Sequence, residues 1–163
     1  VIETGIKNQV CHFRGRSEHV LDEKGRLNIA TRFRESLRRQ GEERLMVTPV
    51  APGSQCLRAY SVPEWEKAEM EILAYVKANP GPAATRARRY FIGGAEECVL
   101  DKQGRILLPS QLREERGLKK EIVANGMITF FEIWDREAWG IEHRVTEEDV
   151  LDPDQALRSI GID

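Results

Sequence analysis

The sequence predicts a mixed α+β fold, mainly β, built from two pseudo-symmetric halves. Three observations carry that expectation. Val20-Leu21-Asp22-Glu23-Lys24-Gly25-Arg26-Leu27 returns 79 residues later as Val99-Leu100-Asp101-Lys102-Gln103-Gly104-Arg105-Ile106. From Glu18 to Glu35 against Glu97 to Glu114, eight of 18 positions are identical, and Leu27/Ile106, Ile29/Leu108, Thr31/Ser110 and Phe33/Leu112 are conservative. Leu57 to Trp65 then lines up with Phe131 to Trp139 at an offset of 74, so the second copy carries a loop shorter by five residues. Finally, Asn79-Pro80-Gly81-Pro82 stands between the copies as the strongest linker signal in the chain. Two copies of so long a unit make two half-domains and not a solenoid. The halves are placed at 13–80 and 81–148, with flexible termini at 1–12 and 149–163.

Each copy reads as a hairpin, a short helix, one or two strands, and a helix starting at a Trp. Val1 to Val10 has no periodicity and reads as a flexible or strand-like arm. Val20, Leu27 and Ile29 fit a strand pair with one buried face, Arg26 and Asn28 facing away. Asp22 to Gly25 is the turn: an Asp accepts hydrogen bonds from backbone N–H groups just ahead, and Gly takes positive φ without a steric penalty. Thr31 is the expected cap of a helix carrying Phe33 and Leu37 and ending at Gly41. Ser110, Leu112 and Gly117 repeat that arrangement. Leu45 to Thr48, Cys56 to Tyr60, Glu121 to Ala124 and Ile128 to Ile133 read as strands. Ser61 with Glu64 and Pro63 forms a capping-box pattern ahead of Trp65, Ala68, Ile72 and Val76. Thr85 to Ile92 reads as a further helix bearing Arg86, Arg88 and Arg89, and Asp135 as the cap of the Trp139 helix. Little order is expected from about Asp149 onward.

Bulk properties fit a globular protein: 163 residues, 40% hydrophobic, 32% charged. No run approaches the roughly 18 apolar residues of a membrane span. No charged-then-apolar leader opens the chain. Cys11, Cys56 and Cys98 are odd in number and lack metal-ligand spacing, which points to reduced thiols and a cytoplasmic home. The net charge of −2 speaks against indiscriminate nucleic-acid binding, but its distribution is uneven. His12 to Arg39 holds eight basic and four acidic side chains, whereas Glu132 to Asp163 holds three basic and ten acidic.

No Walker loop, nucleophile elbow or zinc spacing is present, and Gly93-Gly94 alone does not make a phosphate site. A metal- or thiol-dependent enzyme using Cys11, His12 and His19 is the weakest reading; no cofactor, metal or small-molecule substrate is expected. The basic hairpin carries more. A β-ribbon fits the major groove, and arginine pairs bidentately with guanine O6 and N7. Lys24 and Arg26, flanked by Arg14 and Arg16, can present such side chains, while Arg32 and Arg34 can serve phosphates, which position a protein without specifying sequence. Asp22 lies four residues before Arg26, so D-x-x-G-R is either a well-made turn only or a turn that also aims its arginine. The second copy is less basic, with Gln103 where the first has Lys24.

F-R-G-x-x-E-H-x-L-D-x-K-G-R-L-x-I, the later E-C-x-L-D-K-Q-G-R-I-L-L-P-x-x-L-R, and E-I-W-D-x-E-x-W together resemble the MraZ family of bacterial transcriptional regulators. The resemblance runs from about Phe13 to Trp139 and includes the order and spacing of both halves. It implies an AbrB-like swapped-hairpin barrel made by two halves of one chain. It also implies a homo-oligomeric ring that binds short G-rich direct repeats of double-stranded DNA upstream of the division and cell-wall gene cluster, on the nucleoid. DNA contacts then fall on Arg14, Lys24, Arg26 and Arg105. Asp22, Gly25, Asp101 and Gly104 shape the turns, and phosphate contacts are assigned to Arg16, Arg32 and Arg34. Three departures stand out: Ala30 occupies the place of Pro109, the first ten residues extend beyond the usual start near Phe13, and the tail after Trp139 departs from the pattern. The competing reading is a ring-forming interaction scaffold whose D-x-x-G-R turns are purely structural.

Overall fold

A computed structural model describes residues 12–50, 53–149 and 153–162. The expected arm at Val1 to Val10, together with Cys11, lies outside the described residues. In chain order the first half gives β1 (Arg16–Val20), β2 (Arg26–Asn28), α1 (Thr31–Arg39), β3 (Arg44–Pro49), β4 (Cys56–Ser61) and α2 (Val62–Ala78). Then come α3 (Pro82–Phe91), β5 (Glu96–Val99), β6 (Arg105–Leu107), α4 (Ser110–Glu115), β7 (Glu121–Gly126), β8 (Phe130–Asp135), α5 (Arg136–Asp149) and α6 (Pro153–Ser159). The fold is mixed α and β, and the repeat is visible element by element.

The strands cross between the halves. Six of them form one sheet in the order β1-β7-β8-β4-β3-β5, and β2 pairs with β6 in a separate two-stranded ribbon. Thus β1 of the first half lies antiparallel on β7 of the second, with Arg16 opposite Asn125 and Val20 opposite Glu121. Reciprocally, β5 lies on β3, with Leu45 opposite Cys98. The expected hairpin between Val20 and Leu27 is therefore corrected: its two arms flank the turn but pair with the other half. Val20, expected on a buried face, is exposed, and Leu21, just past the end of β1, is buried instead. The expected barrel is also corrected. The sheet stays open, with β1 and β5 as its edges, because both swapped arms end on different strands and never meet.

Alternation along the central strands decides the layering. Leu45, Val47, Leu57, Ala59, Ile122, Ala124, Phe131 and Ile133 face one core, which also takes Leu27, Ile106, Phe33, Leu37 and Leu112 from the ribbon, α1 and α4. The intervening residues face away. Tyr60 meets Trp65 and Phe91 beneath α2 and α3, while Cys56, Val123 and Trp134 lie beneath α5. The six-stranded sheet is thus covered on both faces: ribbon, α1 and α4 on one, α2, α3 and α5 on the other. At the centre of the first core, Phe13, Phe33 and Phe131 touch mutually, with ring centroids 5.2, 5.1 and 4.8 Å apart. Phe13 is tied in by reciprocal 2.9 Å backbone bonds with Ile128.

Helix starts differ from expectation in detail. The N-cap positions are Ala30 and Pro109, one residue earlier than Thr31 and Ser110, and neither helix has a side-chain cap. Ser61 is the N-cap of α2 but closes no capping box. It is still the last residue of β4, fully buried, and its Oγ has no hydrogen-bond partner among the described residues. Asp135 does cap: the Glu137 and Lys119 N–H groups donate to its carboxylate at 3.2 and 3.0 Å. The acidic tail, expected to be irregular, carries α6, whose described side chains are exposed.

Candidate nucleic-acid interface

The two D-x-x-G-R turns have the same construction. In the first, the Lys24 and Arg26 N–H groups donate to Asp22 Oδ1 at 2.9 and 2.8 Å, and Arg26 Nε donates to Asp22 Oδ2 at 2.5 Å. Gly25 N–H closes the turn on the Asp22 carbonyl at 3.0 Å. In the second, Gln103 and Arg105 N–H reach Asp101 Oδ1 at 2.9 Å each, Arg105 Nε reaches Oδ2 at 2.9 Å, and Gly104 N–H reaches the Asp101 carbonyl at 3.0 Å. One carboxylate therefore sets both the backbone of the turn and the plane of the guanidinium. The fold requires glycine at both turns, with φ of 84° at Gly25 and 76° at Gly104.

Electrostatics follow from that wiring. The backbone N–H of Arg26 does most to hold the Asp22 carboxyl down at about 2; the Arg26 side chain and the Lys24 N–H add to it, against some desolvation. Asp101 is lowered by the same kinds of contact, led by the Arg105 N–H. Both carboxylates stay charged at neutral pH. Each arginine is engaged through Nε, with the side chains of Arg26 and Arg105 33% and 23% exposed. Among the described residues the Nη groups of both arginines make no hydrogen bond, which leaves them as donors for a bidentate contact to a guanine.

The turns sit at opposite ends of the ribbon. β2 and β6 run antiparallel, with Arg26 opposite Leu107 and Asn28 opposite Arg105. Backbone bonds continue past both ends: Leu108 N–H donates to the Gly25 carbonyl and Ile29 N–H to that of Gly104, each at 3.0 Å. Arg14 and Lys24 are exposed and make no ion pair among the described residues. The other basic candidates are engaged. Arg16 Nε donates to Asn125 Oδ1 at 3.4 Å, and its guanidinium lies 4.5 Å from the Trp139 ring centroid. Arg32 Nη1 donates to the Arg14 carbonyl at 3.4 Å. Arg34 Nε and Nη2 donate to the Ile29 carbonyl and Thr31 Oγ1 at 3.0 and 2.9 Å.

One residue that the sequence reading passed over belongs here. Arg113, the repeat partner of Arg34, donates through Nε to the Leu108 carbonyl at 3.1 Å and lies against Gly25. Its identity with Arg34 in the repeat was the available signal. The cluster imagined from Cys11, His12 and His19 is not a described feature. Cys11 lies outside the described residues, the His12 N–H donates to Ser36 Oγ, and His19 Nε2 sits 2.7 Å from Ser17 Oγ. Among the described residues no group of three His, Cys, Asp or Glu is placed to hold a metal ion, and no helix is long and apolar enough to cross a membrane.

Comparison with known proteins bears on the same stretches. The model of the MraZ protein family, described as antitoxin-like, matches residues 12–84 and 91–157, one match per half. A protein of Desulforapulum autotrophicum named "Transcriptional regulator MraZ" is 41% identical over 152 residues, covering 92% of this chain and 99% of its own length. Proteins with the same name from Syntrophobacter fumaroxidans and Acidithiobacillus ferrooxidans are 44% and 45% identical over 128 and 130 residues. They cover 78% of this chain, and 82% and 85% of their own lengths.

Proposed function

Since this chain belongs to the MraZ family, a family of transcriptional regulators and not of enzymes, we propose that it is a sequence-specific regulator acting on double-stranded DNA. The first Asp-x-x-Gly-Arg turn is its principal reading element. The observation that carries this is the paired turn itself: a carboxylate holds Nε of Arg26 in place, and among the described residues the Nη groups make no hydrogen bond. Arg26 reads a guanine, the exposed Lys24 of the same turn and the exposed Arg14 add further contacts, and Arg105 plays the matching, weaker part from the other end of the ribbon. Arg16, Arg32 and Arg34 lend phosphate contacts only through donors not spent on Asn125, Arg14 and Ile29.

A surface with so few free cations binds DNA weakly per copy at physiological salt. The reading therefore includes a homo-oligomeric ring on short G-rich direct repeats upstream of the division and cell-wall cluster, at the nucleoid. Several copies then gain through effective concentration. The basic first half and acidic C-terminal stretch support head-to-tail contact between copies. A second reading, a ring-forming scaffold, draws on the fact that both Asp–Arg pairs close within the chain.

The experiment is DNA binding to direct G-rich repeats by wild type and Arg26→Ala, with oligomer mass measured for both. The mutant is expected to keep its mass and lose specific binding by about tenfold or more per site. Normal binding by the mutant removes Arg26 from the interface. A wild type that assembles but binds no DNA puts the scaffold first.

A further inference from the structure

The two halves hold each other's turns, and the holding is crosswise. A Cβ built on Gly25 of the first turn falls 2.6 Å from Cζ and 2.8 Å from Nε of Arg113, a residue of the second half. A Cβ on Gly104 of the second turn falls 2.5 Å from Nη1 and 2.8 Å from Nε of Arg34, a residue of the first. Each arginine is itself fixed by its own half, through the bonds from Nε to the Leu108 and Ile29 carbonyls. Those same residues donate the crossing backbone bonds: Leu108 N–H to the Gly25 carbonyl, Ile29 N–H to the Gly104 carbonyl. Each glycine is thus clamped from the far half, by a backbone bond on its carbonyl and a flat guanidinium over its α-carbon. The missing side chain at Gly25 and Gly104 is what gives the plate room to lie there.

We propose that Arg113 and Arg34 are positioning residues. Arg113 aims the Arg26 turn and Arg34 aims the Arg105 turn, so that the half with fewer basic groups contributes to DNA reading by setting the other half's reading arginine. This rests on the regulator reading above for its DNA consequence, but not for its structural part. It gives Arg34 a duty different from the phosphate contact that its charge suggests.

Amide hydrogen exchange tests the bracing without DNA. Arg113→Ala is expected to speed exchange at Lys24, Gly25 and Arg26 more than at Gln103, Gly104 and Arg105, and Arg34→Ala to do the reverse. Equal loosening of both turns, or loosening confined to the turn of the mutated half, overturns the proposal. DNA titrations test the consequence. Arg113→Ala is expected to weaken specific binding by about tenfold, comparable with the loss of a bidentate contact. The salt slope should stay unchanged, and Arg113→Lys should not rescue, because a lysine keeps the charge and loses the plate. In an Arg26→Ala background the further loss should shrink to under about twofold, while in an Arg105→Ala background it should persist. A salt slope lower by about one, with rescue by lysine, means that Arg113 touches a phosphate directly and sinks the positioning role. Melting temperature and oligomer mass confirm that each variant is folded. If the wild type binds no DNA, the regulator reading fails, and the crossed exchange pattern alone decides the bracing.

Discussion

Unfolding should be a single event, and damage to either half should be felt by the whole. Phe33 and Leu112 occupy equivalent positions of the repeat, 1% and 3% exposed, and both belong to the same core. Truncating a fully buried Phe to Ala costs about 3–5 kcal/mol, and a buried Leu about 2–5. Phe33 also stands 4.8 and 5.2 Å from the Phe131 and Phe13 rings, placing Phe33→Ala at the upper end of its range. For a chain of this size each kcal/mol lowers the melting temperature by roughly 2–4 °C. Phe33→Ala should therefore lower it by roughly 8–20 °C and Leu112→Ala by about 4–20 °C. Calorimetry, with circular dichroism as a second probe, should find one transition in wild type and in both variants, displaced as a unit. The reason is the pairing: β1 and β5 each complete the other half's share of the sheet, and alone each half keeps only a two-stranded pair, β3 with β4 or β7 with β8. Two resolved transitions, with each variant shifting only one of them, would refute this reasoning.

The Asp22 carboxyl should titrate near pH 2 by carbon-detected NMR, and Asp101 should also fall below its ordinary value. Because the folded value lies below the unfolded one, the stabilisation is complete above about pH 4 and is lost as pH falls towards 2. A midpoint at or above the ordinary carboxylate value removes the hydrogen-bond wiring from the account. Burial pushes the Cys56 thiol up to about 11 and that of Cys98 to about 12. In a Cys11→Ser background, a thiol-specific reagent at pH 8 should react with the native chain only on the timescale of unfolding; rapid labelling would contradict the burial of both. Together with Arg26→Ala and Arg113→Ala, these variants separate turn chemistry from core stability.

The sequence carried the repeat, the order of elements and the turn chemistry well, because each is local or nearly so. Asp22 and Gly25 specify their turn within four residues, so the hydrogen bonds inside it could be foreseen. Strand partnership could not. Nothing within reach of Val20 distinguishes a neighbour in the same hairpin from β7 in the other half, since the alternation that buries a face is the same in both arrangements. Helix starts shifted for a similar reason. Thr31 and Ser110 look like caps by type, but the preceding Ala30 and Pro109 already take the cap position as the chain leaves the ribbon. At the candidate site, charge alone could not separate arginines that face solvent from those held by the fold. Arg16 became a partner of Trp139, and Arg34 and Arg113 became clamps, all through contacts that exist only once both halves are assembled.

The crossing of strands also has a consequence in time. Arg16 and Asn125, paired across β1 and β7, are separated by 109 positions along the chain. A ribosome adding about 5–20 residues each second needs roughly 5–20 s to extend from one to the other. During that interval β1 has no strand to join, and the first turn lacks the arginine that steadies it. High contact order of this kind slows folding. On the function proposed here, the nascent first half has its reading arginine without the means to aim it until the chain has reached β7.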